Sequence, residues 1–450
     1  MRIFARFQQM QDVGKHIRAV AGGTIFKNMV ALGAVQFANY LIPLIIIPFV
    51  TRALGVDMFG RVCYAQNIVS YLAILINFGF DYSATQDVAI HKGDKRAVGV
   101  IFRTVMVSKA VLFAVSIGVM GVLYAVYAPV HADPVLYAWA ALFNLGYVLF
   151  PTWLYQGMED MGRMSVMNFV TKLTGAVLII AVVREAEDYV AYMAILSAVY
   201  VVVGCVALMY AVRHYGVLES RTRDGALSRA IIRKSCPIFV TTLAGSLYNA
   251  MGLTLLGAMM SAAEVGVYAG SQKVILACVM LTSMPFSVAI FPKMSRLFEE
   301  NRADGWRFFG RAMGLAIAVG LCMTPCIWLL APLAVKILLG SGFEEAVVQI
   351  RWMSGLPLLV LIGTMLTVQG LYGTQQQRWA PIVVVLSGCI SVALNRWLIP
   401  VWHAGGCVVA WYVAESVEIM IVGGIIINYK RMTTRAASSP NKSSSKRGAP

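Results

Sequence analysis

The sequence predicts an all-α, polytopic membrane protein, and three observations support that fold class. Apolar stretches of roughly 20 residues or more recur along the chain, and a helix of that length crosses the roughly 30 Å hydrocarbon core of a bilayer. Lys and Arg residues concentrate in every second gap between these stretches. Hydrophobic residues make up 59% of the 450 residues and charged residues only 13%, too few charges for a soluble domain of this size.

About twelve transmembrane helices are predicted, one for each apolar stretch. They cover residues 25–50, 62–81, 100–126, 135–154, 165–183, 188–212, 236–258, 265–291, 310–332, 346–372, 380–399 and 405–428. The chain start and alternate gaps hold most of the basic residues, whereas the other gaps hold only Arg52, Arg61, Arg184 and Lys336. Because cytoplasmic loops carry the Lys/Arg excess, both termini are expected in the cytoplasm of a multi-pass, inner-membrane protein.

The net charge of +16 does not indicate nucleic-acid binding. It lies on one side of the predicted membrane, where it faces anionic lipid head groups. The eight cysteines lie within or beside apolar spans. Only Cys322 and Cys326 are one helical turn apart, and no His or carboxylate lies near them. No metal site is therefore expected.

The chain is predicted to divide into two six-helix lobes around a central cavity. A cytoplasmic lead, 1–24, precedes the N-lobe, 25–212, and a basic cytoplasmic linker, 213–235, leads to the C-lobe, 236–428. The basic tail, 429–450, is rich in Ser and Pro and is expected to be disordered.

A short internal repeat supports this division. Gly60 is followed six residues later by Gln66, and Gly266 by Gln272. Each pair stands near the start of the second span of its half, followed by a polar and an aliphatic residue. Two lobes of six spans enter the membrane from the same side, which makes them parallel repeats.

The gaps between spans on the predicted periplasmic side, here called the outer gaps, are short, and this bears on function. No outer gap is long enough to form a sizeable extramembrane domain, and no paired-aspartate or phosphate-binding glycine motif occurs. A membrane enzyme of polysaccharide assembly usually needs such features, so no catalytic residues are assigned.

Three blocks of sequence carry a family resemblance. The first runs from Gln36 to Thr85, the second from Trp153 to Asp160, and the third from Ser246 to Lys273. Their residues include Gln36, Asn39, Tyr40, Pro43, Thr51, Arg52, Gly55, Gly60, Phe78, Gly79, Asp81, Gln156, Gly157, Tyr248, Asn249, Gly266 and Tyr268. In order and spacing they resemble the polysaccharide-transport branch of the multidrug/oligosaccharidyl-lipid/polysaccharide exporter superfamily, the Wzx-type flippases of O-antigen and exopolysaccharide repeat units.

The resemblance implies an alternating-access carrier in the bacterial inner membrane. Its cargo would be an undecaprenyl-pyrophosphate-linked oligosaccharide, moved from the cytoplasmic to the periplasmic leaflet. Membrane lipids are implied partners, together with a polysaccharide polymerase and a chain-length regulator.

Ionisable residues at membrane depth are costly and usually face a cavity or a partner. Lys109, Lys172 and Lys273 each lie several residues inside a predicted span. These three lysines outnumber the two deep glutamates, Glu415 and Glu418. The surplus positive charge suits the binding of a pyrophosphate. Static Lys–Glu pairs between helices are the alternative interpretation.

Polar side chains that suit sugar hydroxyls share this depth. They are Gln36, Asn39, Tyr40, Gln66, Asn67, Tyr248, Asn249 and Gln272.

Glu415 and Glu418 lie three residues apart on one helix face. A carboxylate there can take up an ion on one side and release it on the other. The two glutamates, with Asp81 at the cytoplasmic mouth of the second span, are therefore candidates for coupling transport to H⁺ or Na⁺, and no other cofactor is expected.

The sequence thus predicts a transporter, a flippase for a lipid-linked oligosaccharide. A multidrug or small-metabolite antiporter on the same fold is the first alternative, which the basic surplus disfavours. A membrane enzyme is the second.

Overall fold

The computed structural model describes residues 24–218 and 224–438. Within those ranges the chain is helical and contains no β-strand, so the all-α prediction is confirmed. The helices α1 to α15 are Thr24–Asn77, Phe80–Ile90, Lys95–Val126, Ala128–Ala132, Pro134–Leu149, Thr152–Gly157, Met161–Val182, Tyr189–Tyr215, Gly225–Met259, Ala262–Glu300, Arg302–Ala334, Ala346–Met353, Leu356–Thr364, Ala380–Trp402 and Ala404–Ser438. Short π-helical or 3-10 segments cover Ala186–Asp188, Val335–Leu339, Met365–Tyr372 and Gln377–Trp379.

Parts of three predicted segments lie outside the described residues. They are residues 1–23 of the lead, 219–223 of the linker and 439–450 of the tail.

Ten helical stretches in the described part of the chain are long and apolar enough to cross a membrane. An eleventh is reached if the bent pair Gly225–Leu247 and Asn249–Met259 counts as one span. The polytopic prediction is therefore confirmed, although the number of twelve is not reached by this criterion.

The first of these stretches, Leu41–Ile90, contains the end of the predicted span 25–50 and all of the predicted span 62–81. Its 50 residues would form a continuous helix about 75 Å long, against a hydrocarbon core of about 30 Å. Gly55 interrupts it with φ 68° and ψ 177°, a conformation that glycine adopts without a Cβ clash. The break lies between the predicted spans 25–50 and 62–81.

Short polar side chains cap several helix starts. Asp94 accepts hydrogen bonds from the backbone N–H groups of Arg96 and Ala97 at the start of α3. Asp133, Ser261 and Asn301 do the same at α5, α10 and α11. Each cap satisfies N–H groups that have no partner inside the helix, and so fixes where the helix begins.

The described residues group into two compact units. The N-unit contains the chain up to Leu54 and Leu72–Phe239, and the C-unit contains Gly55–Tyr71 and the chain from Val240 onwards. The predicted boundaries of the two lobes stay a prediction.

The N-unit has an aromatic core. Trp153 and Tyr155 of α6 are fully buried with Phe80 of α2 and Phe150, and the Tyr155 hydroxyl donates to the Ala207 carbonyl oxygen at 2.7 Å. Since α6 is only one and a half turns long, these large side chains supply the burial that holds it in place.

Much of the predicted linker, 213–235, is helical. Helix α8 ends at Tyr215, where Gly216 has φ 61°, and α9 begins at Gly225, where the Asp224 carboxylate accepts from the N–H groups of Ala226 and Leu227. The sequence predicted that the membrane span begins only at residue 236, because residues 213–235 are basic. Ile231 and Ser235 are nevertheless buried in the N-unit, which explains the additional helical turns.

The last helix also extends beyond the predicted span. Helix α15 continues to Ser438, so residues 429–438 are helical although they were expected to be disordered. Two cation–π contacts accompany this extension: Lys430 lies 5.4 Å from the Trp306 ring centroid and Arg302 lies 5.8 Å from that of Tyr429.

In the C-unit, the two repeated glycines meet. A Cβ atom on Gly60 would overlap the Ala262 carbonyl oxygen, and one on Gly266 would overlap the Val56 carbonyl oxygen. Segment 55–71 therefore crosses α10 at backbone contact, a packing that small residues allow between membrane helices.

Candidate functional site

A buried ion pair lies inside the N-unit. Lys109, on α3, has a side chain only 1% exposed, and its ammonium group lies 3.6 Å from Oδ1 of Asp81. The ammonium also donates to Oδ1 of Asn77 at 2.8 Å. Burying a charge costs several kcal/mol unless it is paired and hydrogen-bonded, and these two partners offset that cost.

A break between α1 and α2 positions both partners. Asn77 ends α1, Phe78 has φ 45° and Gly79 has φ 77°, and Asp81 then lies in the first turn of α2. A Cβ atom on Gly79 would lie 2.7 Å from the Ser235 carbonyl oxygen and 2.9 Å from Cβ of Ile238. Glycine is needed at this position both for its dihedral angles and for the close approach of α9.

Asp81 connects the buried lysine to a cavity. Its side chain is 39% exposed, and Oδ1 also accepts from the Thr152 hydroxyl at 3.4 Å. The cavity has a volume of about 390 Å³ and is lined by Asp81, Tyr82, Thr85, Gln86, Ala89 and Gln156. Most of these side chains are polar.

Two ion pairs involve residues that are close in sequence to those lining the cavity. Lys92 pairs with Glu159 at 2.8 Å and Lys234 pairs with Asp87 at 2.6 Å. The hydrogen bond from Lys92, with its positive charge, lowers the pKa of Glu159. Both lysines at this end of α2 therefore already have a carboxylate partner.

In the C-unit, the Thr254 hydroxyl holds one of the predicted sugar-binding amides, that of Asn67. The Asn67 amide donates to the Thr254 hydroxyl at 2.7 Å and to the Ala250 carbonyl oxygen at 3.4 Å. The hydroxyl groups of Tyr71 and Thr254 lie 2.8 Å apart. Gln66, beside Asn67, is half-buried.

Lys273 lies on α10, immediately after Gln272, and both side chains are half-buried. Its ammonium group is 5.9 Å from the ring centroid of Phe59, within the range of a cation–π interaction. Lys273 thus lies in the C-unit and Lys109 in the N-unit.

Glu415 and Glu418 lie on α15 beside the segment formed by α13 and the π-helix Met365–Tyr372. Glu415 is 7% exposed and accepts from Nε1 of Trp411 at 3.3 Å. Glu418 accepts from the hydroxyl of Thr367 at 3.3 Å. Among the described residues, Glu418 forms no ion pair, so its carboxylate is held by a neutral donor.

The remaining predicted residues are distributed over several helices. Lys172 is half-buried on α7, and Asn249 is exposed and donates to the Gly245 carbonyl oxygen at 2.8 Å. Gln36, Asn39, Tyr40 and Tyr248 lie on α1 and α9, and their side chains are outside the described part of the structure. The functions assigned to all these residues stay predictions.

The sequence did not single out four residues that organise these clusters. They are Asn77, Thr152, Thr254 and Thr367. A signal exists for two of them: Asn77 directly precedes the Phe-Gly-Phe break, and Thr152 follows Pro151 at a helix start. Thr254 and Thr367 lie within apolar helices, where a single hydroxyl forms no recognisable pattern.

Comparison with known proteins bears on the family of this chain. Residues 25–298 match the family model described as polysaccharide biosynthesis protein, which confirms the predicted resemblance. A protein of Escherichia coli (strain K12), provisionally named an O-antigen transporter, is 26% identical over 369 residues, covering 82% of this chain and 88% of that protein. A protein of Shigella dysenteriae with the same provisional name is 24% identical and is covered over 98% of its length.

Solved transporter structures share the fold. A multidrug-resistance MATE family transporter of the MOP superfamily, solved in an inward-facing conformation, superposes with a TM-score of 0.72 at 14% identity. The alignment covers 87% of this chain and 96% of that one. The lipid II flippase MurJ superposes with a TM-score of 0.65 at 8% identity, covering 87% and 86%. The names of the two curated relatives agree with the prediction of a transporter rather than an enzyme.

Proposed function

Because the chain belongs to the polysaccharide biosynthesis protein family, we propose that it is a flippase for a lipid-linked oligosaccharide. The cargo is an O-antigen or exopolysaccharide repeat unit carried on undecaprenyl pyrophosphate. It moves from the cytoplasmic to the periplasmic leaflet of the bacterial inner membrane by alternating access. In this proposal both termini are cytoplasmic, and the product is passed to a polysaccharide polymerase.

The buried ionic cluster of the N-unit is the observation that carries this proposal. A lysine that is 1% exposed on the apolar helix α3 lies beside its carboxylate partner, Asp81. Asp81 in turn lines a cavity of about 390 Å³ in which most of the lining residues are polar. Ionisable groups inside membrane spans mark cargo or ion pathways. A polar head group cannot cross hydrocarbon without such partners.

The names of related proteins favour a glycolipid cargo over a drug. The two curated relatives are provisionally named O-antigen transporters. The MATE and MurJ likenesses rest on fold alone, since the identities are 14% and 8%.

Ion coupling is part of the proposal. Glu415, Glu418 and Asp81 are the candidate groups for binding H⁺ or Na⁺ during the cycle. Glu418 is held by a hydroxyl rather than by a described cation, and Asp81 reaches a cavity. A carboxylate that is free to bind an ion in one conformation and release it in the other can return the empty carrier.

Deletion of the gene in its native bacterium tests the function. We expect cell-surface polysaccharide to disappear while the lipid-linked oligosaccharide accumulates inside the inner membrane, and plasmid-borne wild-type protein to restore both. Intact surface polysaccharide after deletion would contradict the proposal, as would loss of polymer with no accumulation of the lipid-linked unit. Drug sensitivity without any polysaccharide defect would favour the antiporter.

A further inference from the structure

The cavity beside Asp81 is lined by polar groups that have no described hydrogen-bond partner. Both described partners of the Asp81 carboxylate, Lys109 and Thr152, approach Oδ1. Oδ2 has no hydrogen-bond partner among the described residues. A cation and a hydroxyl behind one oxygen hold the carboxylate in place and leave its second oxygen available as an acceptor.

The other lining residues add complementary groups. Oε1 of Gln156 lies 3.4 Å from the hydroxyl of Thr85, which leaves the Gln156 NH₂ group without a described partner. The Gln86 side chain is exposed and has no described protein partner. The Tyr82 side chain is 71% exposed and also lines the cavity.

We propose that this cavity is a sugar-binding subsite, in which Asp81, Gln86 and Gln156 hydrogen-bond the hydroxyl groups of one sugar and the Tyr82 ring packs against its face. A hydroxyl donates and accepts at once, so a carboxylate acceptor beside amide donors matches neighbouring hydroxyls. Tyrosine supplies a rigid amphipathic surface. The inference rests on the proposed function, because the sugar belongs to the lipid-linked oligosaccharide.

The charge of the cavity disfavours a phosphate. Among the described residues that line it, Asp81 alone is charged, and its carboxylate repels an anion. Two basic residues near this end of α2, Lys92 and Lys234, are each paired with a carboxylate. The pyrophosphate would therefore bind elsewhere.

The size of the cavity disfavours a bare ion as its principal ligand. A volume of about 390 Å³ lies within the range of small-molecule sites, about 300–1,000 Å³. The cavity also lies at the end of α2 that the charge distribution places towards the cytoplasm. A sugar bound there would be recognised as the cargo enters.

Binding to the full-length protein in nanodiscs tests the subsite. One probe is the lipid-linked oligosaccharide extracted from the gene-deletion strain, and the other is undecaprenyl pyrophosphate without sugar. We expect the wild type to bind the first probe more tightly than the second. Gln86→Ala and Gln156→Ala should each weaken binding of the first probe about 3- to 10-fold, the range that one neutral hydrogen bond supplies, and leave the second unchanged.

Control variants separate recognition from folding. Gln376→Ala changes a half-buried glutamine outside the cavity and should bind both probes as the wild type does. Tyr82→Phe keeps the ring and should retain binding of the oligosaccharide lipid, whereas Tyr82→Ala should weaken it. All variants are compared at equal monodispersity in size-exclusion chromatography.

The outcomes distinguish the subsite from the function. The subsite is overturned if the cavity variants bind both probes as the wild type does, or if they lose both probes equally while remaining folded. Failure of the wild type to bind either probe, with export intact in the deletion strain, overturns the proposed function and the subsite with it.

Discussion

Lys109 is the most deeply buried cation of the described structure, and its partner Asp81 is much more accessible. This asymmetry gives a prediction. Asp81→Asn leaves a buried ammonium without its counter-charge and should destabilise the protein by about 3 kcal/mol. Lys109→Met leaves a carboxylate that still reaches the cavity, so this variant should lose less stability.

Thermal unfolding of the purified variants in detergent measures the difference. The double variant Asp81→Asn with Lys109→Met should be more stable than the sum of the two single losses predicts, because removing both charges leaves no unpaired ion. Strictly additive losses, or a larger loss for Lys109→Met than for Asp81→Asn, would show that the pair does not act as described.

Lys273 is predicted to bind phosphate of the cargo. Lys273→Ala should abolish export of surface polysaccharide while membrane abundance stays normal, and Lys273→Arg should restore it in part, since the charge is kept but its geometry changes. Lys293→Ala is the control, because Lys293 lies on the same helix and also contacts an aromatic ring, that of Phe308. Full export by Lys273→Ala would contradict the assignment.

Glu415 is the test case for ion coupling. Glu415→Gln keeps the shape of the side chain and mimics the protonated acid, so it should insert normally but block transport independently of the ion gradient. A purely structural carboxylate predicts instead a loss of stability of about 1–3 kcal/mol. Glu300→Gln, at the exposed end of α10, is the matched control. Normal export with unchanged dependence on the ion gradient would exclude the coupling function for Glu415.

Among the elements, the crossing of segment 55–71 with α10 depends on glycine. Gly266→Ala places a methyl group against the Val56 carbonyl oxygen and should lower stability by about 1–3 kcal/mol. Gly118→Ala is its control, because no heavy atom lies within 4 Å of the added Cβ on α3. That change should leave stability equal or up to about 1 kcal/mol higher, through helix propensity. Equal melting temperatures for the two variants would contradict close packing at Gly266.

The elements also show how far the sequence alone predicts this structure. Hydropathy located the apolar helices because a membrane-spanning helix must satisfy its backbone internally and cover itself with apolar side chains. The same reasoning did not show that α9 begins before its predicted span and that α15 continues beyond its predicted span, into basic sequence. There the burial of Ile231 and the aromatic contacts of Arg302 and Lys430 decide the outcome, and those contacts depend on distant parts of the chain.

The candidate site was predicted as a set of residue types rather than as a geometry. Lys109 was predicted from its membrane depth and Asp81 from its place at the cytoplasmic mouth of the second span, and the charge count treated Lys109 as available for phosphate. The structure instead places its ammonium 3.6 Å from Asp81. This proximity follows from the break at Phe78 and Gly79, because the backbone angles there determine where the first turn of α2 lies. No periodicity in the sequence specifies those angles.

At the scale of the whole molecule, the direction in which each helix crosses the membrane is open to direct test. The distribution of Lys and Arg predicts that reporter fusions after Gly93, Gly225 and Ser438 are cytoplasmic. It also predicts that fusions after Ala132 and Ala262 are periplasmic. These residues lie at or near the ends of described helices. A cytoplasmic signal at Ala262 would contradict the division into two parallel halves.

One further fusion decides how many spans the chain has. An odd number of spans, such as the eleven reached by length and apolarity, places the two termini on opposite sides of the membrane, whereas twelve places both in the cytoplasm. The difference lies in Leu41–Ile90, which is too long for one crossing. If the break at Gly55 separates two spans, a fusion after Asp57 should be periplasmic, between a cytoplasmic N-terminus and a cytoplasmic Gly93. A cytoplasmic signal after Asp57 would contradict the twelve-span topology.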